Sequence, residues 1–199
     1  LMRLLHVGWG YRPLRFGGVI VYVEDLLHAL ASRGHEVHYF CAGRCDSTFV
    51  PRVKTWWREG IPVHELRNPP AWVTPLQGTQ RPELDIEHPG VRELFRRVLQ
   101  AVRPEVVHIH EFYGLPARIV EDVKQAGIRL VITLEDLHCL CPTFLLYKEE
   151  AGENCRDYED GRGCLECCRR APAASGRMLD RRPPTCPCRS HAGPSRAAT

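Results

Sequence analysis

Hydrophobic positions along the first two thirds of the chain follow two patterns, short continuous runs and longer stripes with a helical period. The runs predict buried strands, and the stripes predict amphipathic helices. Predicted strands lie at 4–7, 35–41, 61–66, 105–110 and 128–134, and predicted helices at 19–34, 91–102 and 114–127. Because strands and helices alternate with long crossovers, the pattern predicts an α/β domain with a Rossmann-like parallel sheet and helices on both faces.

Two stretches between these elements carry no clear period. Residues 56–60 predict a loop, and residues 68–90, which are rich in proline, predict a long one. Loops of that length inside a compact domain are usually functional or mobile.

The pattern changes after residue 140, which divides the chain into three parts. Residues 2–140 form the predicted Rossmann-like domain, and residues 141–170 form a polar, cysteine-rich excursion. Residues 171–199 are rich in Arg, Pro, Ala and Ser, with almost no apolar period. Such a segment cannot bury enough surface to order itself, so we expect a disordered tail, or the out-of-frame end of a truncated gene.

The composition limits the classes of partner that we expect this chain to bind. The 199 residues carry 27 Lys and Arg against 24 Asp and Glu, a net charge of +3, which gives no reason to expect nucleic acid. No apolar run approaches the roughly 20 residues that span a bilayer, and none at the start resembles the core of an export signal. We therefore expect a cytoplasmic protein that meets a membrane only through its substrate.

Cysteine usage is uneven, because eight of the ten cysteines fall between Cys139 and Cys188. Without an export signal, such a cluster predicts metal binding or reduced thiols ahead of a disulfide framework. A tetrahedral structural zinc site is one interpretation, with the C-x-x-C spacing as its knuckle, and reduced structural thiols are the other. The four predicted zinc ligands are Cys141, Cys155, Cys164 and Cys167.

A glycine-rich turn joins the first strand to the first helix. It runs from Gly8-Trp-Gly10 through Arg15 to Gly17-Gly18, where the helix begins. Backbone N–H groups at such a helix start favour anionic groups, although the glycines could also serve only a tight turn. A dinucleotide is disfavoured, since residues 40–42, Phe-Cys-Ala, lack the acidic residue that holds its ribose.

Polar residues follow two later predicted strands. His108 and His110 share one face of a strand, and Glu135-Asp136 ends the next strand. Ligands of open α/β sheets lie beyond the carboxyl ends of strands, which favours His110 as a functional residue. The alternatives are that the histidines merely pack and that the acidic pair caps a following helix.

Several of these motifs occur together in an order that resembles a known family. Leu4-Leu-His-Val-Gly opens the set, and Thr133-Leu-Glu-Asp136 through Leu140-Cys-Pro142 closes it. Between them lie Pro13-Leu-Arg-Phe-Gly-Gly-Val19, Val23-Glu-Asp-Leu26, Ala29-Leu-Ala-Ser-Arg-Gly-His-Glu-Val37 and Arg103-Pro-Glu-Val-Val-His-Ile-His110. Over about residues 2–168 the chain resembles the N-terminal domain of a family 4 glycosyltransferase with the GT-B fold.

The resemblance implies a cleft between two Rossmann-like domains, the first holding the acceptor and the second a nucleotide-sugar donor. Sugar transfer in that family retains the anomeric configuration. The family commonly has His at the position of Glu135. The residues it implies are His110, Glu135 and Asp136 for catalysis, Gly17, Gly18 and Arg15 for the donor phosphates, and Glu111 and Tyr113 for the acceptor.

The resemblance also implies that the donor domain lies outside these residues, so we expect the chain to be inactive alone. Chemistry would need no metal, and Trp56, Trp57 and Trp72 could stack on a sugar or lipid-linked acceptor. The alternative is a non-catalytic, zinc-stabilised Rossmann-like binding module, or a subunit that completes a separate donor domain. A nicotinamide-dependent oxidoreductase is disfavoured for want of the acidic residue after the second strand.

Overall fold

A computed structural model describes residues 1–70, 82–137, 139–141, 145–148, 151–156 and 163–164. The six main strands are β1 (Arg3–Gly8), β2 (Glu36–Ala42), β3 (Arg52–Arg58), β4 (Ile61–Arg67), β5 (Val106–Ile109) and β6 (Arg129–Ile132). The helices are α1 (Gly18–Ser32), α2 (Pro82–Ile86), α3 (Pro89–Val102) and α4 (Ile119–Gln125). No helix in the described ranges is both long and apolar enough to cross a membrane.

The six strands form one sheet in the order β3-β4-β2-β1-β5-β6. Every pair is parallel except β3 with β4. The first strand of the chain is therefore central, between β2 and β5. Crossovers that return to a neighbouring parallel strand place helices against the sheet, as the alternating pattern predicted.

Helices cover both faces of the sheet. On one face α1 buries its apolar stripe, including Val23 and Leu27, against Leu4 and Tyr39. On the other face α3 and α4 pack over alternate residues of β1, β2 and β5. The prediction of a Rossmann-like α/β domain with helices on both faces is confirmed. The side chains of this second core are Leu5, Val7, Phe40, Val91, Phe95, Val98, Val107, Ile109, Ile119 and Val123.

The prediction of a loop at residues 56–60 is wrong. These residues complete β3 and turn back into β4, with Trp56 opposite Val63. Glu59 and Gly60 both have positive φ, 48° and 82°, which suits a two-residue hairpin turn. The hydrophobic pattern does not predict this strand, because its side chains are mostly polar and at least partly exposed and so form no apolar run.

The predicted long loop at 68–90 is also partly wrong, because α2 lies within it and α3 already begins at Pro89. The side chain of His88 caps α3 by accepting a hydrogen bond from the Val91 N–H at 3.2 Å. Residues 71–81 lie outside the described residues. The predicted helix at 114–127 is shorter than expected, since α4 begins only at Ile119.

The cysteine-rich segment contributes one small element to the described structure. Tyr147–Lys148 (β7) pairs antiparallel with Glu153–Asn154 (β8). The predicted tail, 171–199, lies outside the described residues.

Gly43 packs against the buried side chain of Glu65. A Cβ at this position would lie closer than 3.0 Å to the Glu65 Cγ, Cδ and Oε1 atoms. We expect Gly43→Ala to destabilise the fold by about 1–3 kcal/mol through overpacking, measured as the free energy of unfolding in urea. Gly18→Ala is the matched control, because a Cβ there meets nothing within 4 Å. Equal stability of the two variants would contradict the expected clash.

Candidate functional site

A polar pocket lies at the carboxyl edge of the sheet, where β5 and β6 end side by side. Parallel pairing aligns the ends of β5 and β6, with Ile109 opposite Ile132. The chain segments that follow both strands therefore meet at this edge. The pocket is lined by His110, Glu111, Phe112, Tyr113, Ile132, Thr133, Leu134, Glu135, Asp136 and Cys139.

The structure brings the predicted catalytic residues and acceptor residues together in this pocket. His110 Nδ1 lies 3.7 Å from Glu135 Oε1, and the His110 side chain is fully buried. The Tyr113 hydroxyl donates a hydrogen bond to Asp136 Oδ2. Trp9, which sequence reasoning did not single out, packs edge-on against Tyr113 at 5.3 Å between ring centroids. Their roles in catalysis and acceptor binding stay predictions.

Burial, together with two neighbouring carboxyl groups, changes the protonation of Glu111. Burial, with Asp136 and Glu135 nearby, raises the pKa of Glu111 to about 8. Burial and the adjacent Asp136 also raise the pKa of Glu135. Glu111 therefore holds its proton at neutral pH and can donate a hydrogen bond there, as a neutral carboxylic acid does.

A group of three histidines lies beside the pocket. His6 on β1 is opposite His108 on β5, and His110 follows two residues later on the same face. His6 Nδ1 and His110 Nε2 are 3.0 Å apart. Burial and neighbouring imidazoles lower the pKa of His6 and of His110 to about 3, so both rings are neutral at pH 7. Sequence reasoning missed His6, although a histidine inside the apolar run at 4–7 was the available signal.

The glycine turn ends at the start of α1, near the pocket. Gly17 has a φ of 146°, a conformation that glycine adopts readily, and its carbonyl accepts a hydrogen bond from Val21 N–H. Gly17 and Gly18 are exposed, with open space around each Cα. One turn further, Tyr22 packs edge-on against His110 at 5.8 Å between ring centroids, which connects α1 to the pocket.

The basic residues of the glycine turn are engaged with the protein. The Arg15 guanidinium lies over the Trp9 ring, 5.0 Å from its centroid, and burial lowers the pKa of Arg15. Arg12 donates from its backbone N–H and its Nε to the carboxylate of Glu24, at 2.8 and 2.6 Å. Phosphate binding by Arg15, Gly17 and Gly18 stays a prediction.

The inner part of the glycine turn is held by Tyr39. The Tyr39 hydroxyl donates to the Gly10 carbonyl at 2.7 Å and accepts from the Gly10 N–H at 3.3 Å. Both groups are buried, so this contact satisfies backbone polar atoms that would otherwise lack partners.

The cysteines predicted to bind zinc are only partly within the described structure. Cys141 is buried and accepts a hydrogen bond from the Leu146 N–H at its Sγ, 3.4 Å away. Cys155 and Cys164 are half-buried, and Cys167 lies outside the described residues. Zinc binding by this set stays a prediction. Cys45 is disulfide-bonded, which sequence reasoning did not predict.

Two of the three tryptophans predicted to stack on an acceptor, Trp56 and Trp57, lie on β3, at the edge of the sheet opposite β6 and the pocket. Trp56 packs on the Tyr11 ring at 4.6 Å between centroids and donates through Nε1 to Glu65, which gives it a packing role in β3. Trp57 is 70% exposed on the same strand, and Trp72 lies outside the described residues.

The fold and the pocket together define a class of protein. It is a Rossmann-like α/β domain that presents neutral imidazoles and crowded carboxyl groups at the carboxyl ends of its strands. A family model described as "Glycosyl transferase 4-like domain" matches residues 17–182. The chain belongs to this family, and the predicted resemblance to the N-terminal half of a family 4, GT-B glycosyltransferase is confirmed.

Individual relatives are distant. The chain is 23% identical over 158 residues to an uncharacterized 42.6 kDa protein in the cps region of Klebsiella pneumoniae, covering 74% of this chain and 40% of that protein. Sucrose-phosphate synthase from Thermosynechococcus elongatus is 18% identical, with a TM-score of 0.43 and coverage of 68% and 33% of the two chains. The catalytic domain of starch synthase IV from Arabidopsis thaliana, bound to ADP and acarbose, is 17% identical, with a TM-score of 0.39 and coverage of 66% and 33%. The chain thus spans less than half the length of these relatives.

Proposed function

We propose that this chain forms the acceptor-side wall of a retaining glycosyltransferase that transfers a sugar from a nucleotide-sugar donor. The observation that carries the proposal is the convergence of His110, Glu135 and Asp136 in one pocket beside the start of α1. Family membership supplies the reaction class, and the pocket supplies polar groups at the edge where open α/β sheets bind ligands.

His110 is assigned a hydrogen-bonding role toward the reacting sugar. Its low pKa keeps the ring neutral, so it does not act as a general acid at pH 7. A neutral imidazole held by its neighbours is instead a fixed hydrogen-bonding group, which stabilises developing charge without reorganising. Glu135 Oε1 lies 3.7 Å from its Nδ1 atom, which is too far for a direct hydrogen bond but places the carboxyl group beside the ring.

Glu111 and Tyr113 are assigned to the acceptor. A protonated Glu111 can donate to an acceptor hydroxyl and does not repel an anionic donor. Tyr113 is held against Asp136, which fixes its ring as one side of the pocket. The exposed backbone of Gly17 and Gly18 faces open space at the positive end of α1, where a diphosphate would be favoured.

Sugar transfer requires a second wall that binds the nucleotide, so we propose that these 199 residues do not turn over a donor by themselves. The site is proposed to need no metal for chemistry, and a structural zinc at the cysteines remains a separate proposal. For its location, we propose that the protein is cytoplasmic and acts on a sugar or lipid-linked acceptor, at the membrane surface where the acceptor is lipid-linked.

The test is nucleotide release from UDP-glucose, ADP-glucose and GDP-mannose, measured for the chain alone and together with the product of the adjoining downstream reading frame. We expect release only from the combination. His110→Ala should lower its kcat by about 100-fold, the usual effect of losing one fixed hydrogen-bonding group. His28→Ala is the matched control, because His28 is a surface histidine on α1 paired with Glu59.

Turnover by the chain alone would contradict the need for a second wall. Unchanged kcat in His110→Ala would contradict the assigned site even if the combination is active. No turnover in any combination, with one zinc bound per chain by metal analysis, would favour a non-catalytic zinc-stabilised binding module.

A further inference from the structure

Three histidines beside the pocket bring three ring nitrogens together, and the proposed sugar transfer uses only one of them, His110. His6, His108 and His110 each offer one ring nitrogen, and these three atoms lie within 4.8 Å of one another. No other group of three or more such ligands occurs among the residues that the structure describes. We propose that the three imidazoles form a binding site for a divalent transition-metal ion, with Zn²⁺ as the preferred ion.

The spacing of the nitrogens is close to what a metal requires. His6 Nδ1 and His110 Nε2 are 3.0 Å apart. Two imidazole nitrogens bound to one tetrahedral zinc at about 2.0–2.1 Å lie about 3.3 Å from each other. The third nitrogen comes from His108, whose position opposite His6 is fixed by strand pairing, so small side-chain rotations close the set around an ion.

The protonation of the group suits metal binding. Imidazole coordinates through a neutral nitrogen lone pair, and a charged ring must first lose its proton. His6 and His110 are buried and His108 is half-buried, and such surroundings disfavour a charged imidazolium ring. Imidazole is a favoured ligand of zinc, copper and nickel, whereas calcium and magnesium prefer oxygen.

Residues around the histidines complete an outer shell. His110 Nδ1 and Glu135 Oε1 are 3.7 Å apart, and neither has a hydrogen-bond partner within the described part of the chain. A metal on His110 Nε2 would place the ring proton on Nδ1, where Glu135 can accept it, as carboxylates commonly do behind metal-bound histidines. Thr133 Oγ1 lies 2.7 Å from His108 Nε2 and orients that ring.

The inference does not depend on the proposed sugar transfer. His110 belongs to both sites, so a bound ion would occupy the Nε2 lone pair and keep His110 from a sugar. Metal occupancy and transfer therefore exclude each other.

The test is Co²⁺ titration of the full chain after its accessible thiols have been blocked with N-ethylmaleimide, which removes the cysteines as competing ligands. We expect visible d–d absorption without a thiolate charge-transfer band, one Co²⁺ per chain, and displacement by Zn²⁺. His6→Gln and His108→Gln should each raise the Kd for Co²⁺ by more than about 100-fold. Glu135→Gln should raise it by about 10-fold, because Glu135 would no longer accept the proton of the metal-bound His110 ring. Circular dichroism shows whether each variant folds. Two ligand variants are used so that the test still stands if one of them does not fold.

The control variant is His38→Gln, which disrupts another imidazole pair. His38 Nδ1 and His64 Nε2 are also 3.0 Å apart, but among the described residues no third ligand completes a metal-binding group with that pair. We expect this variant to bind Co²⁺ as the wild type does. Loss of binding in His38→Gln but not in folded His6→Gln or His108→Gln would overturn the proposal. Failure of the thiol-blocked wild type to bind Co²⁺ would overturn it equally.

Discussion

Replacing Glu65 with glutamine is expected to lower the free energy of unfolding by about 3 kcal/mol, because it removes one partner from a buried ion-pair cluster. The Glu65 side chain is fully buried and accepts three hydrogen bonds from Arg44, through the backbone N–H, Nε and Nη2, at 2.9–3.0 Å. Arg67 Nε lies 3.1 Å away, and Trp56 Nε1 donates from 3.1 Å. Removing one partner of a buried ion pair usually costs about 3–5 kcal/mol of stability. We expect the lower end of that range, because the half-exposed Arg44 can be hydrated once Glu65 is neutralised.

The effect should depend on pH with a defined sign. Burial alone would raise the pKa of Glu65, but the hydrogen bonds and charges of Arg44 and Arg67 outweigh it and lower the pKa below 4.5. A carboxylate with a lowered folded pKa stabilises the protein above its unfolded pKa and loses that contribution as pH falls through the folded value. The difference between wild type and Glu65→Gln in urea unfolding should therefore be full at pH 7 and shrink below pH 4.5.

The matched control for this variant is Glu36→Gln. Glu36 also pairs with an arginine at 2.8 Å, but both side chains are largely exposed. Such pairs contribute about 0–1 kcal/mol, so the control should change stability little. Similar losses in both variants, or a loss in Glu65→Gln that persists unchanged at low pH, would refute the account of a buried cluster.

The largest loss is expected from Phe95→Ala, at about 3–5 kcal/mol, because it opens a cavity in the core between α3 and the sheet. Phe95 is 0% exposed, and its ring lies 5.1 Å from the ring of Phe40 on β2. Both residues belong to the larger of the two cores. The measurement is urea unfolding at pH 7, with the midpoint expected to fall and the slope to stay constant.

Phe16→Ala provides the comparison at the surface. Phe16 is 72% exposed in the glycine turn, so truncation leaves no cavity and should change stability by less than about 0.5 kcal/mol. If Phe95→Ala were tolerated as well as Phe16→Ala, the helix α3 would not be packed on the sheet as the structure has it.

Elements with a strong apolar period were predictable, and those stabilised by other means were not. The stripe at 91–102 corresponds to α3, and the runs at 4–7 and 35–41 correspond to β1 and β2. By contrast, β3 is held by pairing with β4 and by a positive-φ turn at Glu59-Gly60, neither of which produces an apolar period.

The candidate site was predictable as a place but not as a set of contacts. Parallel strands end at a common edge, so residues after 109 and after 132 had to meet, and His110 and Glu135 do. His6 could not be assigned to the group, because nothing local says that β1 lies beside β5. Only the sheet order gives the register that places His6 opposite His108.

The central position of β1 also determines when the sheet can be completed during protein synthesis. β1 leaves the ribosome before β2, which follows within a few dozen residues, and well before β5, which begins only at Val106. At about 5–20 residues per second, roughly 5–20 s of synthesis separates the two strands. During that interval the edge of β1 that pairs with β5 has no partner strand. His6 likewise lacks His108 and His110, the two histidines that lie beside it in the folded protein.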